Sequence, residues 1–137
     1  MKKKTITSAR KKAWEWFSRF IRLRDTIEKG NGPYVPCVTC GAIKHWKEQQ
    51  AGHFIPQAQG NAVRFDERNV HTQCYRCNIN LGGNGPEYYP FMVSEYGEFV
   101  IDELKEISKS VRKFTIEELE EMERDYKARA KLMEGEL

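Results

Sequence analysis

The sequence predicts an α+β domain in which helices at both ends flank a turn-rich centre held by four cysteines. Three features indicate this architecture: a helical pattern of apolar residues over 8–29, two Cys-x-x-Cys pairs near the middle, and a capping sequence ahead of a second long helix. A chain of 137 residues is about the length of one domain. We therefore expect one domain over 1–137, with a basic N-terminal helix in 1–30, the cysteine-containing core in 34–85 and C-terminal helices in 86–137.

The N-terminal helix is predicted from its apolar spacing and its end signals. Ser8 is a suitable N-cap, Gly30 ends the run, and Trp14, Phe17 and Ile21 recur at helical intervals between them. We expect this apolar stripe to pack into the core, and the basic residues between its members to face solvent or a polyanion.

The charge of the chain is distributed unevenly, although its net value is only +3. Residues 1–24 carry nine Lys or Arg against Glu15 alone, whereas residues 114–137 carry eight acids against four bases. Such asymmetry favours contact with a polyanion at the basic end, and an ordinary solvated helix face explains it equally well.

The centre and the C-terminal part contain shorter predicted elements. Residues 51–55 and 69–73 have a strand-like pattern, and the glycine-rich stretch 82–86 is expected to be flexible. Two short helices are expected over 87–96 and 98–109. A final helix begins at a Thr-x-x-Glu capping box formed by Thr115 and Glu118.

The four cysteines predict a metal site. Cys37 and Cys40 form one Cys-x-x-Cys pair and Cys74 and Cys77 form another, and two such turns can complete a tetrahedron of thiolates round Zn²⁺. Four thiolates leave no open position, so this Zn²⁺ is expected to be structural. Two unrelated cysteine pairs, or a redox pair, are the alternatives.

The cellular compartment is expected to be intracellular, which means the host cytoplasm if a phage encodes the protein. No targeting segment is recognised, and no window approaches the roughly 20 apolar residues that cross a bilayer. No membrane partner is therefore expected, and paired cysteines in a reducing compartment are more often metal ligands than disulfides.

The segment between the two cysteine pairs carries the candidate catalytic residues. In order, it contains His53-Phe54-Ile55-Pro56, then Asn69 five residues before the second pair, and Asn78 directly after the last cysteine. This order resembles the zinc-containing branch of the HNH (ββα-metal, His-Me finger) endonucleases. Together with Phe20–Asp25, Gly83-Asn84 and the segment Asn69-x-His71-x-Gln73-Cys74, it looks more narrowly like the NinG/Rap family of phage recombination endonucleases.

The resemblance implies a fold, an activity and a substrate. The fold would be a ββα-metal core with the zinc site at its base. The activity would be hydrolysis of phosphodiesters by an HNH-type endodeoxyribonuclease, which leaves 5′-phosphate and 3′-hydroxyl ends. The substrate would be branched recombination DNA, such as D-loops and Holliday junctions.

The chemistry of such a reaction assigns roles to the candidate residues. An imidazole can take the proton of the attacking water near neutral pH, and His53 is the expected general base. A divalent ion would stabilise the charge that develops at the phosphate, and the amide oxygen of Asn78 suits Mg²⁺ or Mn²⁺. Many HNH enzymes have a metal ligand directly before the base, where this chain has Gly52, and His71 is the expected substitute. Asn69 is expected to brace the hairpin and orient His53.

The expected partner is DNA, bound largely through its phosphates. The residues expected to contact it are Arg10, Lys11, Lys12, Arg19, Arg22, Arg24 and Arg76. Gln73 and Arg76 lie beside the site, and each is as well explained by a role unrelated to phosphate. Recognition of a branch by shape generally needs two sites, so a homodimer is a further expectation that only the terminal helices suggest. The main alternative is a zinc-knuckle DNA-binding protein without catalysis, and a protein-interaction scaffold built on the acidic last helix is a third.

Overall fold

The computed structural model describes residues 4–59 and 61–137 and confirms the α+β class. Lys2 and Lys3, which contribute to the basic N-terminal end, lie outside the described residues. The helices are α1 (Ile6–Lys29), α2 (Gly85–Tyr96), α3 (Glu98–Ser108) and α4 (Ile116–Glu134). The strands are β1 (Tyr34–Pro36), β2 (Ile43–His45), β3 (Gln50–His53) and β4 (Val70–Gln73).

Helix α1 is the predicted amphipathic helix, and it starts slightly earlier than its pattern suggested. Thr5 is the N-cap, since its side chain accepts a hydrogen bond from the Ser8 amide at 3.1 Å. The expected cap, Ser8, therefore lies in the first turn as the donor. Phe17 and Ile21 are fully buried, as the stripe predicted.

The strands form two separate antiparallel pairs, β1 with β2 and β3 with β4. The second pair matches the two predicted strands within one or two residues, with Gln50 opposite Gln73 and His53 opposite Val70. The first pair was not predicted, because three-residue strands leave too short a pattern to recognise. Residues 54–69 connect β3 to β4, and a single helical turn, Arg76–Asn80, follows β4.

Helix α4 packs against α1, and this contact brings the acidic and basic ends of the chain together. Tyr126 of α4 lies edge-on to Phe17, with ring centroids 4.9 Å apart. At the edges of the contact, Lys4 pairs with Glu120 at 2.7 Å and Arg19 pairs with Glu134 at 3.5 Å. Part of the charge asymmetry seen in the sequence is therefore used inside the molecule.

The C-terminal helices form largely as predicted. Gly97 separates α2 from α3 with φ +87°, a conformation that suits glycine. The stretch expected to be flexible is instead partly helical, because Gly85 and Pro86 already form the first turn of α2. The capping box of α4 is confirmed: the Glu118 amide donates to the Thr115 hydroxyl, and the Thr115 amide donates to the Glu118 carboxylate.

A second apolar cluster places α2 and α3 beside the β3–β4 connection. Its fully buried members are Val63, Tyr88, Met92, Ile101 and Leu104. This cluster holds the segment that follows His53 against the C-terminal helices. None of the helices described is long and apolar enough to cross a membrane.

Candidate functional site

The four cysteines converge on one point, as their spacing predicted. Their sulfur atoms all lie within 4.8 Å of one another, and Cys40 Sγ is 3.7 Å from Cys74 Sγ. Sulfurs bound tetrahedrally at about 2.3 Å from Zn²⁺ would be about 3.8 Å apart, so the geometry fits that ion. A disulfide would need sulfurs about 2.05 Å apart. The arrangement is therefore consistent with a structural zinc ion.

The first cysteine pair is shaped for metal binding by its backbone. Gly41 adopts φ +80°, which lets its amide donate to the Cys37 carbonyl at 2.8 Å. Burial opposes ionisation of the Cys37 thiol, but hydrogen bonds from Thr39 and from backbone amides lower its pKa to about 6. A bound ion would join the turn between β1 and β2 to the end of β4, where Cys74 lies.

The β3–β4 pair is also anchored to α1 by a buried carboxylate. Asp25 is 1% exposed, and it accepts hydrogen bonds from the Thr72 amide at 2.8 Å and the Thr72 hydroxyl at 2.9 Å. Arg24 donates to the same carboxylate at 3.0 Å. This role of Asp25 was not predicted, and its one signal in the sequence is an acid between Leu23 and Ile27 of the apolar stripe.

Asn69 lies where it can brace the segment that follows His53. It is completely buried, and its side-chain oxygen accepts from the Ile55 amide at 2.8 Å. Its amide nitrogen donates to the carbonyls of Ile55 and Val63, both at 3.1 Å. One side chain thus ties together both ends of residues 55–63.

His53 is held in one orientation at the end of β3. Its Nε2 lies 3.0 Å from the Arg64 carbonyl oxygen, and its ring stacks on Trp14 of α1 at 4.9 Å and 18°. A carbonyl can only accept, so Nε2 carries the proton and the neutral ring has its lone pair at Nδ1. Burial, together with the nearby Arg64 guanidinium, lowers the pKa of His53 below its usual value. The lowered pKa favours the neutral form of the ring at pH 7.

A cavity of about 500 Å³ opens beside His53. Its wall contains apolar residues of the β3–β4 connection, three glycines ahead of and at the start of α2, and two cations of α3 and its C-cap, Lys105 and Lys109. The cavity therefore offers a concave surface with two lysines in its wall, next to a histidine of defined tautomer.

Arg64 lies near His53 and Arg10 lies near Arg64, and only Arg10 was expected to bind DNA. Arg10 of α1 and Arg64 are close enough that the charge of Arg10, after burial, contributes to lowering the pKa of Arg64. The Nε atoms of both side chains are buried without a hydrogen-bond partner among the described residues. Neither guanidinium forms an ion pair among the described residues, and two neighbouring guanidiniums of this kind are suited to an anion such as phosphate. Nothing local in the sequence distinguishes Arg64.

His71 does not fit the role of a metal ligand that was expected of it. It is 1% exposed, and its Nδ1 and Nε2 lie 3.0 and 2.8 Å from the hydroxyls of Tyr88 and Tyr96. Both ring nitrogens are therefore taken. Burial and the charges of Arg24 and Lys29 also lower the pKa of His71 well below its usual value. The structure assigns this residue to packing between β4 and α2.

The hairpin register explains why His53 and His71 do not converge. His53 lies opposite Val70, whereas His71 lies opposite Gly52. Successive side chains of a strand point to opposite faces, so His53 faces α1 and His71 faces α2. Asn78 lies on the Gly52 side: its amide nitrogen donates to Gln50 at 2.8 Å, and its oxygen is 3.0 Å from the point where a Cβ on Gly52 would lie.

The other predicted DNA contacts divide into structural and exposed residues. Arg24 is 12% exposed and donates to the carbonyls of Glu67 and Val70, and Arg22 donates to the carbonyls of Ser18 and Trp46. These bonds hold α1 to its neighbours and do not fit a phosphate contact. Arg19 pairs with Glu134. Lys11, Lys12 and Arg76 are exposed.

Comparison with known proteins gives matches within one family. The family model described as Bacteriophage Lambda NinG protein matches residues 1–136. The NinG proteins of Escherichia phage lambda and Salmonella phage P22 are each 32% identical over 121 residues, which are 88% of this chain and 55% of the relative. That of Enterobacteria phage H19B is 33% identical over 108 residues, 79% of this chain and 49% of the relative. The chain thus spans about half the length of these curated relatives.

The expected placement of this family inside the HNH endonucleases is wrong. The matching family model and the matching relatives are NinG proteins, and no solved structure matches the chain. The geometry agrees with this correction, because Gly52 offers no ligand before His53 and the ring nitrogens of His71 are both taken. The chain belongs to the family of the bacteriophage lambda NinG protein.

Proposed function

We propose that this chain is a divalent-metal-dependent endodeoxyribonuclease that hydrolyses phosphodiesters in branched recombination DNA, with His53 as its general base. One observation carries the proposal: His53 donates from Nε2 to a carbonyl and stacks on Trp14, which leaves the lone pair at Nδ1 of a ring that lines the cavity containing Lys105 and Lys109. The preference for branched DNA rests on the resemblance seen in the sequence motifs.

The proposed reaction uses His53 to take one proton. Nδ1 accepts a proton from water as the water oxygen attacks phosphorus, and the bond from phosphorus to the 3′-oxygen breaks. The 3′-oxygen takes up a proton from solvent, which leaves a 3′-hydroxyl and a 5′-phosphate. The Arg64 carbonyl then stabilises the doubly protonated ring, because it continues to accept from Nε2. A bound divalent ion would supply positive charge for the phosphate oxygens.

The remaining features of the site support binding of the substrate. Arg10 and Arg64 are neighbouring guanidiniums without an acidic partner among the described residues, and Lys105 and Lys109 add positive charge at the cavity. The zinc site, Asn69 and Asp25 hold the hairpin and the segment that follows His53. In this proposal the β3–β4 hairpin and the helical turn after it hold His53 in place, and the cations beside them bind the DNA phosphates.

Cleavage of labelled DNA tests the proposal. Branched and matched linear duplexes are incubated with Mg²⁺, with Mn²⁺ or without a divalent ion, using wild type, His53→Ala and His45→Ala. His45 is the matched control, since its Nδ1 accepts from the nearby Lys47 amide at 3.1 Å and, among the described residues, it makes no contact with the cavity beside His53. We expect cutting that requires the ion, survives His45→Ala and falls at least 100-fold in His53→Ala. Equal cutting of the two duplexes would contradict the branched-DNA preference.

Binding without cutting would favour the alternative, a zinc-knuckle DNA-binding protein without catalysis. DNA affinity measured over a range of salt concentrations tests whether the chain binds DNA through phosphate contacts. Each lost phosphate contact should lower the slope of log K against log salt by about 0.9. We expect that change in Arg10→Ala and in Arg64→Ala, and none in Lys131→Ala, which removes an exposed charge from the acidic helix α4. Unchanged slopes in both arginine variants would exclude them as phosphate contacts.

A further inference from the structure

Gln73, at the end of β4, has a buried oxygen without a partner. The residue is completely buried, and no described residue donates a hydrogen bond to its Oε1. Leaving a buried acceptor unpaired costs about 1–3 kcal/mol. Such an atom can serve as a ligand where a second oxygen lies beside it.

The orientation of the Gln73 amide is determined by its neighbours. The Nε2 atom donates to the Gly83 carbonyl at 2.8 Å and to the Thr39 hydroxyl at 3.1 Å. Since a carbonyl cannot donate, the amide cannot be turned over without placing two acceptors in contact. The oxygen must therefore face Gly52.

The Gln73 oxygen occupies the space that a side chain at position 52 would fill. Gln73 Oε1 lies 1.8 Å from the ideal Cβ position of Gly52, and Asn78 Oδ1 lies 3.0 Å from the same point. Glycine at position 52 is thus what allows two amide oxygens from different elements to meet. Any larger residue would displace the Gln73 side chain.

We propose that Gln73 Oε1 and Asn78 Oδ1, which meet beside Gly52, are two protein ligands of a divalent cation, Mn²⁺ or Mg²⁺. Amide oxygens are suitable donors for these hard cations. The assignment uses neither Gly52 nor His71 as a ligand. It deepens the proposed nuclease function and rests on it for the remaining ligands, which are water and oxygens of the bound DNA phosphate.

The neutrality of the two ligands has a thermodynamic consequence. Two amide oxygens bring no negative charge, so the cation binds weakly to the free protein. A DNA phosphate beside the cation adds that charge. Cation and DNA must therefore increase each other's affinity by the same factor, because linkage is reciprocal.

Manganese binding, measured by electron paramagnetic resonance on zinc-loaded protein, tests this site without relying on cleavage. The proteins are wild type, Gln73→Met, Asn78→Asp and the matched control Gln49→Met. Gln49 is also buried with an unpaired Oε1, but its amide nitrogen bonds to the carbonyls of Val35 and Ala42 in the first hairpin. Each protein is measured alone and with a DNA duplex, in a His53→Ala background so that the DNA stays intact.

We expect Gln73→Met to weaken Mn²⁺ binding about tenfold or more and Asn78→Asp to strengthen it by a similar factor, because a carboxylate adds charge. Gln49→Met should bind as wild type does. Zinc content of one per chain and an unchanged circular dichroism spectrum verify the fold, and Asn78→Asp still decides the question if Gln73→Met does not fold. Wild-type affinity in both site variants, or no Mn²⁺ bound by wild type with DNA, would overturn the assignment.

Mn²⁺ binding and DNA cleavage, measured on the same variants, distinguish failure of the cation site from failure of the nuclease proposal. Mn²⁺ binding that depends on Gln73, in a protein that cuts no DNA, would support the cation site and remove the nuclease. Cutting by Gln73→Met with wild-type affinity for Mn²⁺ would support the nuclease and overturn the cation site.

Discussion

Removing the charge of Asp25 should loosen the β3–β4 hairpin from α1. The carboxylate accepts from the Thr72 amide and hydroxyl on one oxygen and from Arg24 on the other. In Asp25→Asn one oxygen remains to accept from Thr72, but the new amide group brings donors against the guanidinium of Arg24. That guanidinium is 12% exposed and would lose its acidic partner.

The expected loss of stability in Asp25→Asn follows from these hydrogen bonds. Hydrogen bonds to a charged group contribute about 1.5–3 kcal/mol each, and breaking a buried ion pair by removing one partner costs about 3–5 kcal/mol. We expect Asp25→Asn to lower the free energy of unfolding by about 2–4 kcal/mol. That is a large share of the roughly 5–15 kcal/mol by which a typical domain is stable. Thr72→Val, which removes only the hydroxyl bond, should cost about 1.5–3 kcal/mol.

Urea unfolding at pH 7.5 with zinc in excess measures these values. Asp102→Asn serves as the control, because Asp102 is exposed on α3 and should change stability by less than about 0.5 kcal/mol. The double variant Asp25→Asn with Thr72→Val should lose less than the sum of the two single losses, since both act on one contact. A loss below about 1 kcal/mol in Asp25→Asn, or strict additivity, would refute this account of the anchor.

Two further predictions concern zinc and pH. Purified protein should release one zinc per chain when its thiols are titrated with a mercurial. Cys74→Ser should lower both the zinc content and the melting temperature. Full zinc retention in Cys74→Ser would contradict the four-cysteine site. The pKa values of His53 and His71 are lowered in the folded protein, so the unfolded chain takes up protons first as the pH falls below about 6.5. The free energy of unfolding should therefore decrease by up to about 1.4 kcal/mol per pH unit for each histidine. Urea unfolding between pH 7.5 and 5.5 with zinc in excess measures that slope, which should be shallower in His71→Phe; an equal slope there would mean that His71 is not held neutral by the fold.

Local sequence predicted those parts of the molecule whose physical causes are local. The apolar period of α1, the capping box of α4 and the glycine between α2 and α3 each act within a few residues, and all three are present in the structure. The cysteine spacing likewise determined a four-sulfur cluster, because each Cys-x-x-Cys turn already directs two thiols to one side.

Tertiary structure decided everything that depends on strand register and on contacts distant in sequence. The pairing of Gly52 with His71 sends the two candidate histidines to opposite faces, which no spacing along one strand could show. The α1–α4 contact neutralises part of the basic end, and the Arg64 carbonyl selects the tautomer of His53. Gln73 meets Asn78 because glycine at position 52 removes a side chain between two elements. A sequence determines which groups a chain carries and its local turns, but the chain must fold before distant groups share one space.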